Sequence, residues 1–383
     1  MITLLERIFI KQGKDERRAY GILCGTLGIA LNLLLFAGKY LAGFLSGSIA
    51  VMADAFNNLS DAGSSVITLL GFQFAGQAAD EEHPFGHGRI EYLSGLAVSI
   101  AIIVMGVELG RSSIEKIIHP EAVDTGALSM AILLASVAVK LYMSFYNRRI
   151  GAKIDSAAMK ATATDSLSDA LATSMVLISM LIMKFTGVNV DGWCGVLVAV
   201  FILKAGYEAA KETLNPLLGQ APEPEFIEEI QNIVLSRPEI IGIHDLVVHD
   251  YGPGHRMVSL HGEVDGSQDI FELHDAIDGV EMELQERLGC QAVIHMDPVN
   301  LKDPEMKEKK AIVEQIVKAV DSRLTIHDFR LVHGGGVTKL LFDVVMPFEM
   351  KMGEEELKKQ VQDQVCETMP YCCAIIQIDH SYV

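Results

Sequence analysis

The sequence predicts a membrane protein that consists of a six-helix transmembrane bundle followed by a cytoplasmic α+β domain in two copies. Two observations lead to this fold class. The 383-residue chain has a mean hydropathy of +0.30, yet it carries 50 Asp+Glu against 31 Lys+Arg and a formal net charge of −19. A soluble acidic domain is not so apolar, and a bundle in lipid has no room for so much charge. Two regions in different solvents account for both values.

The charge is divided unequally along the chain. Residues 1–219 contain 17 Lys+Arg and 19 Asp+Glu, a net charge of −2, whereas residues 220–383 contain 14 and 31, a net charge of −17. An acidic surface repels phosphate backbones, so nucleic acid is excluded as a partner of the C-terminal part. The acidity either keeps this part soluble or concentrates cations around it.

Six segments of the first part are long and apolar enough to cross a bilayer, for which a helix needs about 20 mainly apolar residues. They cover residues 20–45, 49–77, 91–117, 126–146, 158–186 and 191–213. Short connections between them predict antiparallel neighbours in one bundle. Basic residues precede the first segment (Arg7, Lys11 and Lys14) and follow the fourth (Arg148 and Arg149), which places both termini in the cytoplasm.

Two of these segments carry polar residues at helical spacing. Asn57 and Asp61 are four positions apart in the second segment, and Asp165 and Asp169 are four apart in the fifth, so each pair shares a helix face. An ionised carboxylate in lipid is costly unless a positive charge lies next to it. The sequence pattern places no Lys or Arg beside these residues. We therefore predict a cation site made from the four side chains. The alternative is hydrogen bonding between helices.

The C-terminal part alternates short helices and strands. After a Pro- and Gly-rich hinge, the order is helix, strand, strand, helix, strand up to about residue 298. The same order follows further on, where Thr325-Ile-His-Asp328 echoes Gly242-Ile-His-Asp245. The sequence thus predicts two small two-layer units after the bundle. The predicted domains are residues 1–215, 216–300 and 301–383.

Four ordered features together resemble one known family. They are the six spans, the paired polar residues of the second and fifth spans, the loop Asp80-Glu-Glu-His-Pro-Phe-Gly-His-Gly-Arg89, and a histidine-bearing C-terminal domain. The chain is similar over residues 10–298 to the cation diffusion facilitator family. This resemblance implies export of divalent metal from the cytoplasm in exchange for protons, by homodimers. It also implies a ferredoxin-like, metallochaperone-like fold for the cytoplasmic domain.

The resemblance implies three groups of metal ligands. The transport site comprises Asn57, Asp61, Asp165 and Asp169. The loop site comprises Asp80, His83 and His87, for which a structural turn is the alternative. The cytoplasmic sites comprise His244, His261, His274, His295 and Asp297, for which ordinary surface histidines are the alternative.

In the second cytoplasmic copy, most of the matching ligand positions are lost, although His327, Asp328 and Asp379 remain. Gln377 falls opposite His295, and either Phe342 or Asp343 falls opposite His261. Most relatives end near residue 300, so this copy departs from the usual plan of the family. We expect it to serve packing or assembly and not metal sensing.

The transport site resembles the manganese-type branch. Zinc-type relatives usually have His or Asp at the first position and His at the third, where this chain has Asn57 and Asp165. Oxygen ligands suit Mn²⁺, Mg²⁺ or Ca²⁺, whereas imidazole suits Zn²⁺. We expect the carboxylates to exchange one or more protons for the metal. The alternatives are an exporter of Zn²⁺, Cd²⁺ or Fe²⁺, and a metal-binding sensor or scaffold without transport.

The sequence does not predict an enzyme or an ATP-driven pump. It contains no His-Glu-x-x-His, no Walker loop and no Gly-x-Ser-x-Gly. We expect no required cofactor. The expected partners are divalent metal cations, protons, the lipid bilayer and a second copy of the chain. The expected location is the plasma membrane, with several passes.

Overall fold

The fold is taken from a computed structural model, which describes residues 16–46, 49–119, 126–334 and 337–380. The chain divides into two compact units. One contains Met1–Gln220 with Asp250–His255, and the other contains Ala221–His249 with Arg256–Val383. The basic residues predicted before the first span, Arg7, Lys11 and Lys14, lie outside the described residues.

The first unit consists of long helices. They are α1 (Glu16–Ser46), α2 (Ile49–Ala75), α3 (Ile90–Ile118), α4 (Ala127–Lys153), α5 (Ala157–Thr186) and α6 (Asp191–Leu217). In the described part of the chain, five of them are long and apolar enough to cross a membrane, namely all but α2. Helix α2 has the same length as α4 and α6, 27 residues, and carries the polar face with Asp61. The six long helices agree with the six predicted spans.

Small residues allow these helices to pack closely. Helix α1 packs along α2, α3 along α6, and α4 along α5. At Gly95 on α3, a Cβ atom would lie 2.9 Å from Cα of Ala158 on α5. In lipid, such close packing holds helices together, because burial of apolar surface contributes little there. The bundle thereby encloses Lys140 on α4 and Asp165 on α5, which are 2% and 7% exposed.

The second unit contains two small sheets, each with two helices. The first repeat comprises α7 (Pro224–Val234), β1 (Ile240–Asp250), β2 (Arg256–Asp265), α8 (Ile270–Leu288) and β3 (Cys290–Val299). The second repeat comprises α9 (Pro304–Val320), β4 (Thr325–Gly334), β5 (Val337–Val345), α10 (Glu354–Thr368) and β6 (Cys372–Asp379). The strand orders are β1-β2-β3 and β4-β5-β6. In both sheets the last strand runs parallel to the middle one.

Each repeat has its own apolar core. Leu260 and Leu284 are fully buried in the first repeat, and Leu340 and Leu357 in the second. The element order is the predicted one in both repeats. Each sheet has three described strands, whereas a complete ferredoxin-like β-α-β-β-α-β unit has four. The repeats are therefore shortened versions of that fold.

The register of the strands aligns the two repeats residue by residue. His261 pairs with His295 in the first sheet, and Asp343 pairs with Gln377 in the second. Asp343 therefore occupies the place of His261, which decides between the two residues that the sequence left open. Phe342 points into the core and is 1% exposed.

The same alignment relates the acidic residues of the repeats. Asp297 and Asp379 each lie two positions beyond the aligned pair, on β3 and β6. Asp245 and Asp328 both have a positive φ, of 52° and 49°. Such a backbone conformation is uncommon for residues other than glycine. Its recurrence at matching positions shows that the two repeats share local geometry as well as strand order.

Candidate metal sites

The transmembrane unit gathers three carboxylates and one ammonium group in its interior. Asp61 lies on α2, Lys140 on α4, and Asp165 and Asp169 on α5. Nζ of Lys140 lies 2.7 Å from Oδ2 of Asp61 and 2.7 Å from Oδ2 of Asp169. Asp165 is 7% exposed and lies within electrostatic reach of the other three. We call these four residues the interior cluster.

Lys140 corrects our expectation that these carboxylates have no basic neighbour. Its side chain is 2% exposed and bridges two of them. It is the one charged residue in the predicted span 126–146, which is a signal that sequence reasoning could have used. An ionisable residue within a span almost always pairs with another. With every group ionised, the interior cluster has a formal charge of −2, which a divalent cation would neutralise.

The amide beside Asp61 also differs from our expectation. Nδ2 of Asn58 donates a hydrogen bond to Oδ2 of Asp61 over 3.3 Å, and Asn58 is buried. Asn57 is exposed, and no described contact joins it to the interior cluster. The structure thus brings Asp61, Asp165 and Asp169 together. The amide beside Asp61 is that of Asn58, whereas we had expected Asn57 in this place.

A hydroxyl pair holds α2 and α5 in register next to the interior cluster. Oγ1 of Thr68 and Oγ1 of Thr162 lie 2.8 Å apart, and both residues are buried. One hydroxyl donates to the other, and the accepting hydroxyl can donate to the carbonyl four residues earlier in its own helix, which is Ser64 for Thr68 and Ala158 for Thr162. Hydrogen bonds of this kind stabilise contacts between helices in membranes. This one fixes the height at which the acidic faces of the two helices meet.

The loop between α2 and α3 brings together its three predicted ligands. One donor atom each from Asp80, His83 and His87 lies within 4.8 Å of the others. Nδ1 of His83 and Nε2 of His87 lie 3.4 Å and 3.5 Å from the Asp80 carboxylate. The backbone N–H of His83 donates to that carboxylate over 2.7 Å, which lowers the pKa of Asp80. A turn and a cation site are both compatible with this geometry.

The first cytoplasmic repeat brings together three of its predicted ligands. His244, His261 and Asp297 offer donor atoms within 4.8 Å of one another. Oδ2 of Asp297 lies 3.1 Å from Nε2 of His244 and 2.9 Å from Nδ1 of His261. We call these three residues the first-repeat cluster.

Glu263, which the sequence analysis did not single out, adds negative charge beside this cluster. Its Oε1 lies 3.5 Å from Nδ1 of His244. Burial disfavours the protonated form of His244, but Glu263, Asp245 and Asp297 outweigh burial and raise the pKa of this histidine. The contact with His244 lowers the pKa of Glu263.

The two other predicted cytoplasmic ligands lie at the margin or outside. Nε2 of His295 lies 3.3 Å from Oδ1 of Asp297, but this histidine is 67% exposed. His274 lies on α8, where it is 66% exposed and pairs with Asp278 over 3.4 Å. The structure therefore does not bring His274 to the first-repeat cluster.

Comparison with known proteins covers both units. The profile described as the cation efflux transmembrane domain matches residues 25–218, and the profile described as the cation efflux protein cytoplasmic domain matches residues 222–299. The chain belongs to the cation efflux family. The predicted fold class, a transmembrane bundle followed by an α+β cytoplasmic part, is thereby confirmed.

Several cation efflux proteins are similar over nearly their whole length. An uncharacterized transporter of Methanocaldococcus jannaschii is 32% identical over 279 residues, which are 72% of this chain and 97% of the relative. The cation-efflux pump FieF of Klebsiella pneumoniae is 27% identical over 285 residues, 73% of this chain and 95% of the relative. FieF of Salmonella paratyphi A is 28% identical over 298 residues, with 74% and 96% covered.

These findings identify a multi-pass membrane transporter of the cation efflux family. The names of these three relatives specify no metal, so they do not support the manganese-type branch. The second profile match ends at residue 299, and the second repeat, 301–383, follows it.

Proposed function

We propose that this protein exports Mn²⁺ from the cytoplasm across the plasma membrane in exchange for protons, as a homodimer with both termini in the cytoplasm. The interior cluster is the observation that carries the proposal. It places three carboxylates and Lys140 within a membrane-spanning unit. Such residues in a span are costly and are typical of ion pathways.

The charge of the interior cluster supports exchange. A divalent cation would neutralise its formal charge of −2, provided that Lys140 stays protonated and moves off the carboxylates. Two protons on the carboxylates would neutralise it equally well after the metal has left. The cluster thus has two neutral loaded forms, and a carrier that alternates between them exchanges metal for protons.

The ligand chemistry supports Mn²⁺ over Zn²⁺. The described donors at the interior cluster are carboxylates and the amide of Asn58, with no imidazole among them. Oxygen donors suit Mn²⁺, whereas imidazole and thiolate select Zn²⁺. A histidine at position 165 should therefore shift the preference, and Asp165→His is expected to raise Zn²⁺ transport relative to Mn²⁺ transport.

Uptake into proteoliposomes tests the function directly. Wild-type protein should transport Mn²⁺ faster than Zn²⁺, Fe²⁺ or Cd²⁺, and Asp169→Ala should abolish uptake. Glu108→Ala is the matched control, because Glu108 is a highly exposed carboxylate on α3. Equal uptake by Asp169→Ala and the wild type would eliminate the interior cluster as the transport site. Binding without any uptake would instead support a sensor or scaffold.

An imposed pH gradient tests the proton exchange. Mn²⁺ uptake should accelerate when the vesicle interior is more acidic than the bath, because protons then leave as metal enters. Uptake that does not respond to the gradient would leave facilitated diffusion of the metal as the mechanism.

A further inference from the structure

The second repeat gathers a group of metal-binding side chains of its own. His327 lies on β4, Asp343 on β5 and Asp379 on β6, and Asp245 joins them from β1 of the first repeat. One donor atom from each of the four lies within 4.8 Å of the others. Nε2 of His327 lies 3.5 Å from Oδ2 of Asp379 and 3.8 Å from Oδ1 of Asp245. These separations are close to the distance of about 3.4 Å between two ligand atoms on one tetrahedral Zn²⁺ ion.

The three second-repeat members of this group occupy the same positions as the first-repeat cluster. His327 matches His244 in the recurring Ile-His-Asp motif. Asp343 matches His261 and Asp379 matches Asp297 in the strand register. A side chain that can bind metal is thus present at all three positions, although one imidazole has become a carboxylate.

Buried polar atoms in this region lack hydrogen bonds. The side chain of His244 is 5% exposed, and its ring centroid lies 4.8 Å from that of His327. The ring nitrogens of His244 face Asp297 at 3.1 Å and Glu263 at 3.5 Å. Within the described residues, no hydrogen bond reaches Nδ1 of His327 or Oδ2 of Asp379. Buried polar atoms are nearly always satisfied. A metal ion bound through Nε2 of His327 would satisfy Oδ2 of Asp379, which lies 3.5 Å from that nitrogen.

The neighbouring charges leave the group acidic. Arg330 forms an ion pair with Asp328 and also lies near Asp343. Asp343 and Asp379 offer carboxylate oxygens within 4.8 Å of each other, so their negative charges repel one another. Three carboxylates therefore face one imidazole, and a divalent cation would relieve their repulsion.

We propose that Asp245, His327, Asp343 and Asp379 bind one divalent transition-metal ion that links the two cytoplasmic repeats within a single chain. One imidazole with three carboxylates suits Zn²⁺, Fe²⁺ or Mn²⁺ better than Ca²⁺ or Mg²⁺, which prefer oxygen ligands alone. This proposal replaces our expectation that the second repeat serves packing or assembly without metal. It does not depend on which ion the bundle transports.

Equilibrium dialysis of Zn²⁺ against the purified full-length protein, after treatment with a chelator, tests the site. His327→Ala and Asp379→Asn should each bind one ion fewer per chain than the wild type. His333→Ala should bind as many as the wild type, because His333 is an exposed histidine on the same strand, outside the group. Unchanged binding by both His327→Ala and Asp379→Asn would overturn the proposal.

Hydrogen exchange of the wild type gives a second readout that needs no variant. Addition of Zn²⁺ should slow amide exchange around Asp343 on β5 and Asp379 on β6, whereas Mg²⁺ should have little effect. Protection limited to the first-repeat cluster, with β5 and β6 unchanged, would contradict an ion shared by the two repeats.

Discussion

Lys140 places a positive charge at the position that a transported cation would enter. Its ammonium group contacts Asp61 and Asp169 over 2.7 Å each. A metal ion that uses these carboxylates must therefore displace the lysine. The side chain remains tethered to α4, so it can return to the carboxylates when the metal leaves.

Lys140→Met should strengthen metal binding and slow its release. Without the competing ammonium group, the half-saturating Mn²⁺ concentration for uptake is expected to fall about tenfold, equivalent to about 1.4 kcal/mol. The maximal rate should fall as well, because the ammonium group no longer helps to displace the metal from the carboxylates. Lys204→Met, at a highly exposed lysine on α6, is the control. A higher half-saturating concentration in Lys140→Met would contradict this competition.

The two neighbouring asparagines allow a direct test of the site. Asn58→Ala removes a hydrogen bond to Asp61, which is worth about 1 kcal/mol, and should lower the affinity for Mn²⁺ about fivefold. Asn57→Ala should change it little, because Asn57 is exposed. Uptake at several Mn²⁺ concentrations measures the affinity of both variants. The reverse order of effects would favour the assignment from sequence.

At the residue scale, spacing along the chain predicted contacts within a helix better than contacts between helices. The interval of four positions identified Asp165 and Asp169 because both lie on one face of α5. Lys140 is 79 positions from Asp61, and only the packing of α4 against the bundle brings them together. No local pattern encodes that contact.

An ion pair between Arg17 and Glu91 joins three helices of the bundle. Nε and a terminal nitrogen of Arg17, on α1, donate to the Glu91 carboxylate of α3 over 3.0 Å and 2.8 Å. Ser156, the N-cap of α5, donates to the same carboxylate. Glu91 is 2% exposed, so these donors replace the water that a carboxylate normally binds.

Arg17→Met should destabilise the bundle by about 3 kcal/mol, because it leaves a buried carboxylate without its positive partner. Thermal unfolding in detergent measures the loss. The double variant Arg17→Met/Glu91→Gln should recover part of it, since the uncompensated charge is then gone. Arg111→Met is the control, because Arg111 and Glu108 form an exposed pair at 3.9 Å. Equal thermal stability of Arg17→Met and Arg111→Met would mean that the buried pair contributes nothing.

At the element scale, the order of helices and strands followed from the sequence, and their pairing did not. The alternation of apolar residues predicted two helix-strand-strand-helix-strand units, as observed. The match of Asp343 to His261 required the strand register, since a shift by one residue moves a side chain to the other face of a strand. For this reason the sequence left the choice between Phe342 and Asp343 open.

At the scale of the whole molecule, the acidity belongs to the part that follows the bundle, with a net charge of −17 in residues 220–383. A protein without residues 301–383 should take up Mn²⁺ more slowly at low salt, because a weaker negative potential attracts fewer cations. The difference should vanish at high salt, where charges are screened beyond about 3 Å at 1 M. Uptake that is unchanged at both salt concentrations would mean that the acidity serves only solubility.

An interior cluster that is neutral both with a divalent ion and with two protons carries no net charge through the membrane field in either direction. Moving one charge across the membrane costs about 2.3 kcal/mol per 100 mV, so such a carrier avoids that cost. The exchange is therefore expected to be electroneutral. A potential imposed with K⁺ and valinomycin should leave wild-type Mn²⁺ uptake unchanged. Lys140→Met, which lacks the compensating charge, should become sensitive to voltage.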